Sequence, residues 1–199
     1  MSRSTAEIAA AAARLVVEEG LEYGPAKRRA ARDLGLASTR QAELPSNEQL
    51  EDEVRDYIEL FCADTQPAEL AALREVAALW MARLAEFRPH LTGAVWRGTA
   101  TRLNAVHLAL YCDDPKSAEL ALIDRNVDYD VGSMPGGRGG EPIEVLTVGS
   151  RSAALGETVT VHLSLHDRDD VRGALKPDAQ GRSPRGDLAA LQRLMENAG

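Results

Sequence analysis

Residues 91–112 hold the side chains whose types and spacing are most suggestive of chemistry. The segment contains two glycines, Gly93 and Gly98, and runs on into an alternating stretch that predicts a strand from Ala105 to Tyr111. Side chains two positions apart on a strand point to the same face, so Ala105 and His107 would share a site. An imidazole suits zinc, copper, iron or nickel, and a methyl group binds no metal at all. His107 is therefore our first candidate for a catalytic residue.

This segment resembles the signature of the nucleotidyltransferase superfamily, which includes the fold of DNA polymerase beta. In that signature a Gly-Ser turn is followed by Arg-Gly-Thr-Ala and then by a strand that carries Asp-x-Asp. The chain matches the pattern at Gly93, Arg97, Gly98, Thr99 and Ala100. It departs from the pattern at Ala94, which replaces the serine, and at Ala105 and His107, which replace the two aspartates.

The departures remove the side chains that the resemblance assigns to metal binding. Two carboxylates on one strand face would hold two magnesium ions about 3.5–4 Å apart. Magnesium prefers hard oxygen ligands in octahedral geometry, which Ala105 and His107 do not provide. Asp113 lies six residues beyond His107, roughly 20 Å along a strand, and cannot stand in for them. We expect a broken magnesium site and no cofactor.

The resemblance also implies where a nucleotide would bind. Phosphates would approach the backbone of the turn, where glycines permit close contact. The residues implied in nucleotide binding are Gly93, Ala94, Arg97, Gly98 and Thr99, with Lys116 as a further phosphate contact. The third carboxylate of the family falls on a later strand, and Glu144 is the candidate by position. Magnesium would be required only if the protein were an active transferase with atypical ligands.

Composition limits the classes of partner. The 199 residues are 44% hydrophobic and carry a formal net charge of −8, which opposes non-specific binding to nucleic acid. No apolar run approaches the ~20 residues that span a bilayer, so we expect no membrane partner and a cytoplasmic location. The cysteines, Cys62 and Cys112, are expected to be reduced and packed.

The fold class predicted is α+β, with a helical region over residues 1–66 and an α/β domain with a C-terminal helical tail over residues 67–199. Capping-box patterns at Ser4 and Ser46 open two of the N-terminal helices, and Gly20 ends the first. A second helix is predicted from Pro25 to about Gly35. Its cluster of Lys27, Arg28, Arg29 and Arg32 is either a solvated helix face or a phosphate contact.

The strongest helical pattern follows Thr65, with an apolar stripe of Leu70, Leu73, Ala77, Trp80, Leu84 and Phe87. Spacings of three and four predict a core-facing helix, and a homodimer interface is the alternative.

The later elements predicted are a mixed sheet and two helices. Strands are expected near 91–93, 105–111, 127–131, 141–148 and 158–166, with a glycine-rich connection over 132–140. Asp114 caps a helix with Pro115 at its first position, and Asp187 caps the C-terminal helix. Arg172 and Lys176, four residues apart, are a further candidate phosphate contact.

Three functions compete. The first is a nucleotidyltransferase-like protein that lacks metal-dependent transfer and retains nucleotide binding. The second is an active enzyme with rewired ligands, for which a cluster of His107, Glu144 and His162 on one sheet face is an alternative metal site. The third is a helical protein–protein interaction module. Whether the chain is an enzyme stays open at this point.

Overall fold

The computed structural model describes residues 2–36, 44–136, 140–171, 175, 181 and 183–197, and these form an α+β fold as predicted. The described chain divides into two compact units. The first holds residues 1–70 and 99–104, and the second holds residues 71–98 and 105–199. The sequence-based boundary between residues 66 and 67 differs from this division, because it assigns residues 99–104 to the second unit. Arg172, Lys176, residues 37–43 of the predicted loop and residues 137–139 of the glycine-rich connection lie outside the described residues.

In the described part of the first unit the core is built on the helices α1 (Arg3–Glu19), α2 (Tyr23–Asp33) and α3 (Asn47–Phe61). Their apolar stripes meet in one core that includes Ile8, Val16, Leu50 and Val54. The capping box at Ser46 is confirmed, because its side chain accepts from the backbone N–H of Gln49 while the Gln49 side chain accepts from the backbone N–H of Ser46.

The cap predicted at Ser4 was wrong by two residues, since Ser2 is the N-cap of α1 and its hydroxyl accepts from the Thr5 backbone N–H.

The segment from Thr99 to Asn104 belongs to this unit because side chains and backbone hold it there. Gln66 donates from Nε2 to the carbonyl of Ala100, and Glu69 accepts from the backbone N–H of Arg102. A Cβ at Gly20 would come within 2.8 Å of the carbonyl oxygen of Leu103, so the turn after α1 needs a glycine both for this approach and for its φ of 68°.

The basic cluster of α2 makes contacts within the unit. Lys27 donates to the carbonyl of Pro45 and to the side chain of Asn47, and Arg29 pairs with Glu19. For Lys27 and Arg29, these bonds favour a structural role within the unit over a phosphate contact.

Helix α4 (Gln66–Arg83) is followed by a short 3-10 helix, Ala85–Phe87. The stripe predicted for a core or a dimer is buried within the chain from Leu73 onward, at Leu73, Ala77, Trp80, Leu84 and Phe87. Core packing is therefore confirmed for these residues.

The second unit contains a mixed sheet of six described strands in the order β3-β4-β5-β2-β1-β6. The strands β2 and β5 are parallel, and every other neighbouring pair is antiparallel. Their bounds are β1 (His90–Thr92), β2 (Val106–Cys112), β3 (Tyr129–Met134), β4 (Ile143–Ser152), β5 (Glu157–Asp167) and β6 (Arg185–Gly186).

Among the described residues, three further helices accompany the sheet: α5 (Gly93–Arg97), α6 (Pro115–Asp124) and α7 (Leu188–Glu196). The caps predicted for the two longer ones are confirmed. Asp114 accepts from the backbone N–H of Lys116, and Asp187 accepts from that of Ala190. Leu191, on the inner side of α7, is fully buried. No helix among the described residues is both long enough and apolar enough to span a membrane.

Three local predictions need correction. The stretch between Gly93 and Gly98 is a short helix instead of an open turn, because both glycines take left-handed angles that begin and end it, with φ of 72° and 82°. Ala105 lies just before β2, which begins at Val106. The third strand starts and ends later than predicted and takes Gly132, Ser133 and Met134 out of the expected glycine-rich loop.

Candidate functional site

One face of the sheet is an apolar core. Leu108, Leu163 and Leu146 stand in register on β2, β5 and β4, and each is almost completely buried. Helix α6 covers this face: Tyr129, which pairs with buried Val148, donates from its hydroxyl to Glu119 of α6. The alternation of apolar and polar residues along the strands thus leaves the polar side chains on the opposite face.

That opposite face, called the polar face below, carries all four histidines of the chain. His107 lies beside His162 across the parallel pair, and His166 lies beside Tyr111 four residues further along. His90 is on the same face because it alternates with Leu91, whose partner is the buried Leu108. Such a concentration comes from several separate strands and is not visible as a motif in the sequence.

The nearest pair of histidines is His107 and His162. Their ring centroids are 5.0 Å apart with an angle of 36° between the rings, and both side chains are half-buried. The hydroxyl of Thr147 lies 2.9 Å from Nδ1 of His162 and fixes the orientation of that ring. Thr92 and Arg185 continue the same row of the sheet on the other side of His107.

Gly93 stands directly beside this pair. A Cβ built on Gly93 would lie 3.6 Å from Cδ2 of His107, in ordinary van der Waals contact. The other nearest atoms are Cβ and Cγ of His107, so the backbone of Gly93 faces the Cγ–Cδ2 edge of the ring. The structure thus brings Gly93 and His107, two of the predicted site residues, close together.

The structure separates Glu144 from His107. Glu144 is three residues before Thr147 on β4, and an odd separation on a strand places two side chains on opposite faces. The predicted grouping of His107, Glu144 and His162 is therefore wrong for Glu144. Within the described part of the chain, no group of three His, Cys, Asp or Glu side chains is arranged to hold a metal ion.

Lys116 is also on the side of Glu144. Its ammonium pairs with Glu119 at 2.8 Å, and Glu119 and Glu144 both raise its pKa, the hydrogen bond to Glu119 contributing most. Since Glu119 also accepts from Tyr129, Lys116 belongs to the α6 side of the sheet and not to the polar face.

The other predicted residues lie in or after α5. Ala94 is half-buried in α5, and its carbonyl accepts from the backbone N–H of Gly98. Arg97 ends the helix and its Nε atom is enclosed. Thr99 is 1% exposed, belongs to the first unit, and its hydroxyl has no hydrogen-bond partner among the described residues.

A second polar group on the same face was not predicted. Tyr111 is 2% exposed and accepts a hydrogen bond from Nη1 of Arg185. His166 packs against the Tyr111 ring, with centroids 5.4 Å apart, and its Nε2 lies 2.9 Å from the hydroxyl of Ser164. Only the period-two alternation of β2 and β5 hinted at this group, and the pairing of those strands was needed to assemble it.

Burial sets the protonation of this second group. It lowers the pKa of His166 below its ordinary value, and the nearby Arg185 charge lowers it further, while Asp170 acts in the opposite direction. Burial also raises the pKa of Tyr111, which Arg185 partly offsets. Both shifts favour the neutral forms, so near neutral pH His166 is an uncharged imidazole and Tyr111 keeps its phenolic proton.

A cavity of about 340 Å³ opens at the carboxyl end of β2. Tyr111, Asp113, Asp114 and Arg168 line it together with residues that follow α4. Asp113 and Arg168 pair across it at 2.9 Å, so these two charges neutralise each other.

No protein-family model and no curated protein matches the chain.

Proposed function

We propose that the protein is a nucleotidyltransferase-like protein that binds the phosphates of a nucleotide on the polar face and does not carry out magnesium-dependent transfer. The observation that carries the proposal is the convergence of Gly93, His107 and His162 on one face of the sheet. Gly93 and His107 are positions where the resemblance expects nucleotide phosphates and reacting groups. Their chemistry, a close backbone and two imidazoles, suits anion recognition better than magnesium binding.

The charges around the histidine pair support an anionic ligand. In the row that crosses the sheet through His107 and His162, Arg185 stands at one end and exposed Asp130 at the other, separated by threonines. The carboxylate is thus at the far edge, while the guanidinium side chain extends over the same face from β6. Imidazole and guanidinium nitrogens are donors to phosphate oxygens.

The test is titration of the full chain with ATP, with and without magnesium, followed through the ring C–H resonances of the histidines. The resonances of His107 and His162 are expected to shift most, and the shift is expected to survive removal of magnesium. His107→Gln and His162→Gln should each weaken ATP binding. Lys116 is a cation on the α6 side of the sheet, so Lys116→Ala should leave the affinity for ATP unchanged.

Two results would reject this function. One is nucleotidyl transfer that requires magnesium and survives His107→Gln, because the chemistry would then lie elsewhere. The other is saturable ATP binding that depends on Lys116 and not on His107 or His162. Thermal melting of each variant shows whether a loss of binding comes from loss of the fold.

A further inference from the structure

The second polar group contains a buried cationic donor without an acceptor. Nε of Arg185 is inaccessible to solvent and has no hydrogen-bond partner among the described residues, while Nη1 of the same guanidinium donates to Tyr111. Arg185 as a whole is half-buried, but a donor atom removed from water is normally hydrogen-bonded, because losing water without replacement is unfavourable. The unpaired nitrogen indicates that an acceptor belongs beside it.

The neighbours of Arg185 point to the chemistry of that acceptor. Because Tyr111 accepts from Arg185 and its pKa is raised by burial, its own phenolic proton remains available to a further acceptor. Ser164 and His166 add a hydroxyl and an imidazole joined by a 2.9 Å hydrogen bond. Small side chains, Ala109 and Ser164, lie between the row of His107 and the row of Tyr111.

We propose that Arg185 and Tyr111 form an oxyanion-binding site distinct from the His107–His162 pair. The oxyanion accepts from Nε of Arg185 and from the hydroxyl of Tyr111, and it belongs to either a phosphate or a carboxylate group. The guanidinium of arginine presents its donors in a planar fork that matches both groups. The site does not rest on the nucleotide proposal, since it needs neither the glycine turn nor the histidine pair.

One nearby charge opposes the anion. Asp170, in the 3-10 helix Arg168–Asp170 after β5, acts electrostatically on both Tyr111 and His166. Its carboxylate repels an incoming oxyanion. Replacing it with asparagine should therefore tighten binding.

The experiment measures binding of inorganic phosphate and, separately, of acetate to the full chain by calorimetry and by the ring C–H resonance of His166. Arg185→Gln should weaken binding roughly tenfold or more, because a hydrogen bond to a charged group is lost. Tyr111→Phe removes only the hydroxyl and should weaken binding by a smaller factor. Arg168 is a surface cation that pairs with Asp113, so Arg168→Gln serves as the matched control and should leave the affinity for both probes unchanged.

The two probes separate the sources of the oxyanion. Saturation by phosphate alone assigns a phosphate-bearing ligand, and saturation by acetate alone assigns a carboxylate. Absence of saturable binding of either probe would overturn the proposal, as would equal affinities of the wild type and a folded Tyr111→Phe. His107→Gln should leave phosphate and acetate binding intact, so failure of the nucleotide proposal is distinguishable from failure of this one.

Discussion

Gly93→Ala tests whether the backbone beside His107 is a binding surface or only a turn. Gly93 has a φ of 72°, in the left-handed region where a side chain is unfavourable. A Cβ there would contact His107 at 3.6 Å without a clash. The expected loss of stability is therefore the backbone term alone, about 1–2 kcal/mol.

Gly156→Ala is a matched control for that backbone term. Gly156 has a φ of 70°, lies in the turn between β4 and β5, and has no atom within 4 Å of a built Cβ. The two variants should lose similar stability, with melting temperatures lower by roughly 3–8 °C for a unit of this size.

Only Gly93→Ala should weaken ATP binding. Its new methyl would lie against the carbon next to Nε2 of His107, on the side where a phosphate oxygen would approach both the ring and the backbone. Loss of one such charged hydrogen bond predicts a decrease in affinity of about tenfold. Calorimetric titration of both variants and the wild type gives the comparison. An unchanged affinity of folded Gly93→Ala would refute the reasoning, and so would an equal loss in Gly156→Ala.

Three further predictions concern stability. Asp114→Ala removes the N-cap of α6 and should lower the free energy of unfolding, measured by urea denaturation, by about 1 kcal/mol. A loss near zero would show that the hydrogen bond from the Lys116 backbone N–H to the Asp114 side chain is not formed in solution. Leu163 lies on β5, between β2 and β4, and is fully buried, so Leu163→Ala should lower the free energy of unfolding by about 2–5 kcal/mol. A decrease below about 1 kcal/mol would contradict the sheet register. Burial lowers the pKa of His166, so the unfolded chain takes up its proton first and the free energy of unfolding should fall as the pH drops below about 6.5, the ordinary value of histidine. His166→Gln should flatten this dependence, and parallel curves would exclude His166 as its source.

Local features of the fold were predictable where the deciding contacts are close in sequence. Ser46 with Gln49, Asp114 before Pro115, and Asp187 before the last helix each specify a cap within three residues, and each is formed. The first helix shows the limit of this reasoning. Ser2 and Ser4 are both suitable caps, their hydroxyls lie 3.1 Å apart, and the helix begins from the earlier one.

The candidate site was only half predictable because it depends on which strands pair. The alternation of β2 fixes the faces of His107 and Leu108, but the sequence does not state that β5 lies beside β2 while β4 lies one strand further away. Glu144 was therefore chosen by its order along the chain. The actual neighbour of His107 is His162, more than fifty residues distant in sequence, which only long-range pairing brings there.

The parallel register of β2 and β5 gives the polar face its organisation. His107 and Tyr111 on β2 are matched by His162 and His166 on β5, so two groups of similar composition repeat four residues apart, about 13 Å at the usual rise per residue. Groups separated by more than about 10 Å normally contribute independently. Arg185 is the exception, because its backbone lies in the row of His107 while its guanidinium bonds to Tyr111. A ligand that binds Arg185 at one of the two proposed sites would therefore leave fewer guanidinium donors for a ligand at the other site. This single side chain is thus the physical link between the two sites.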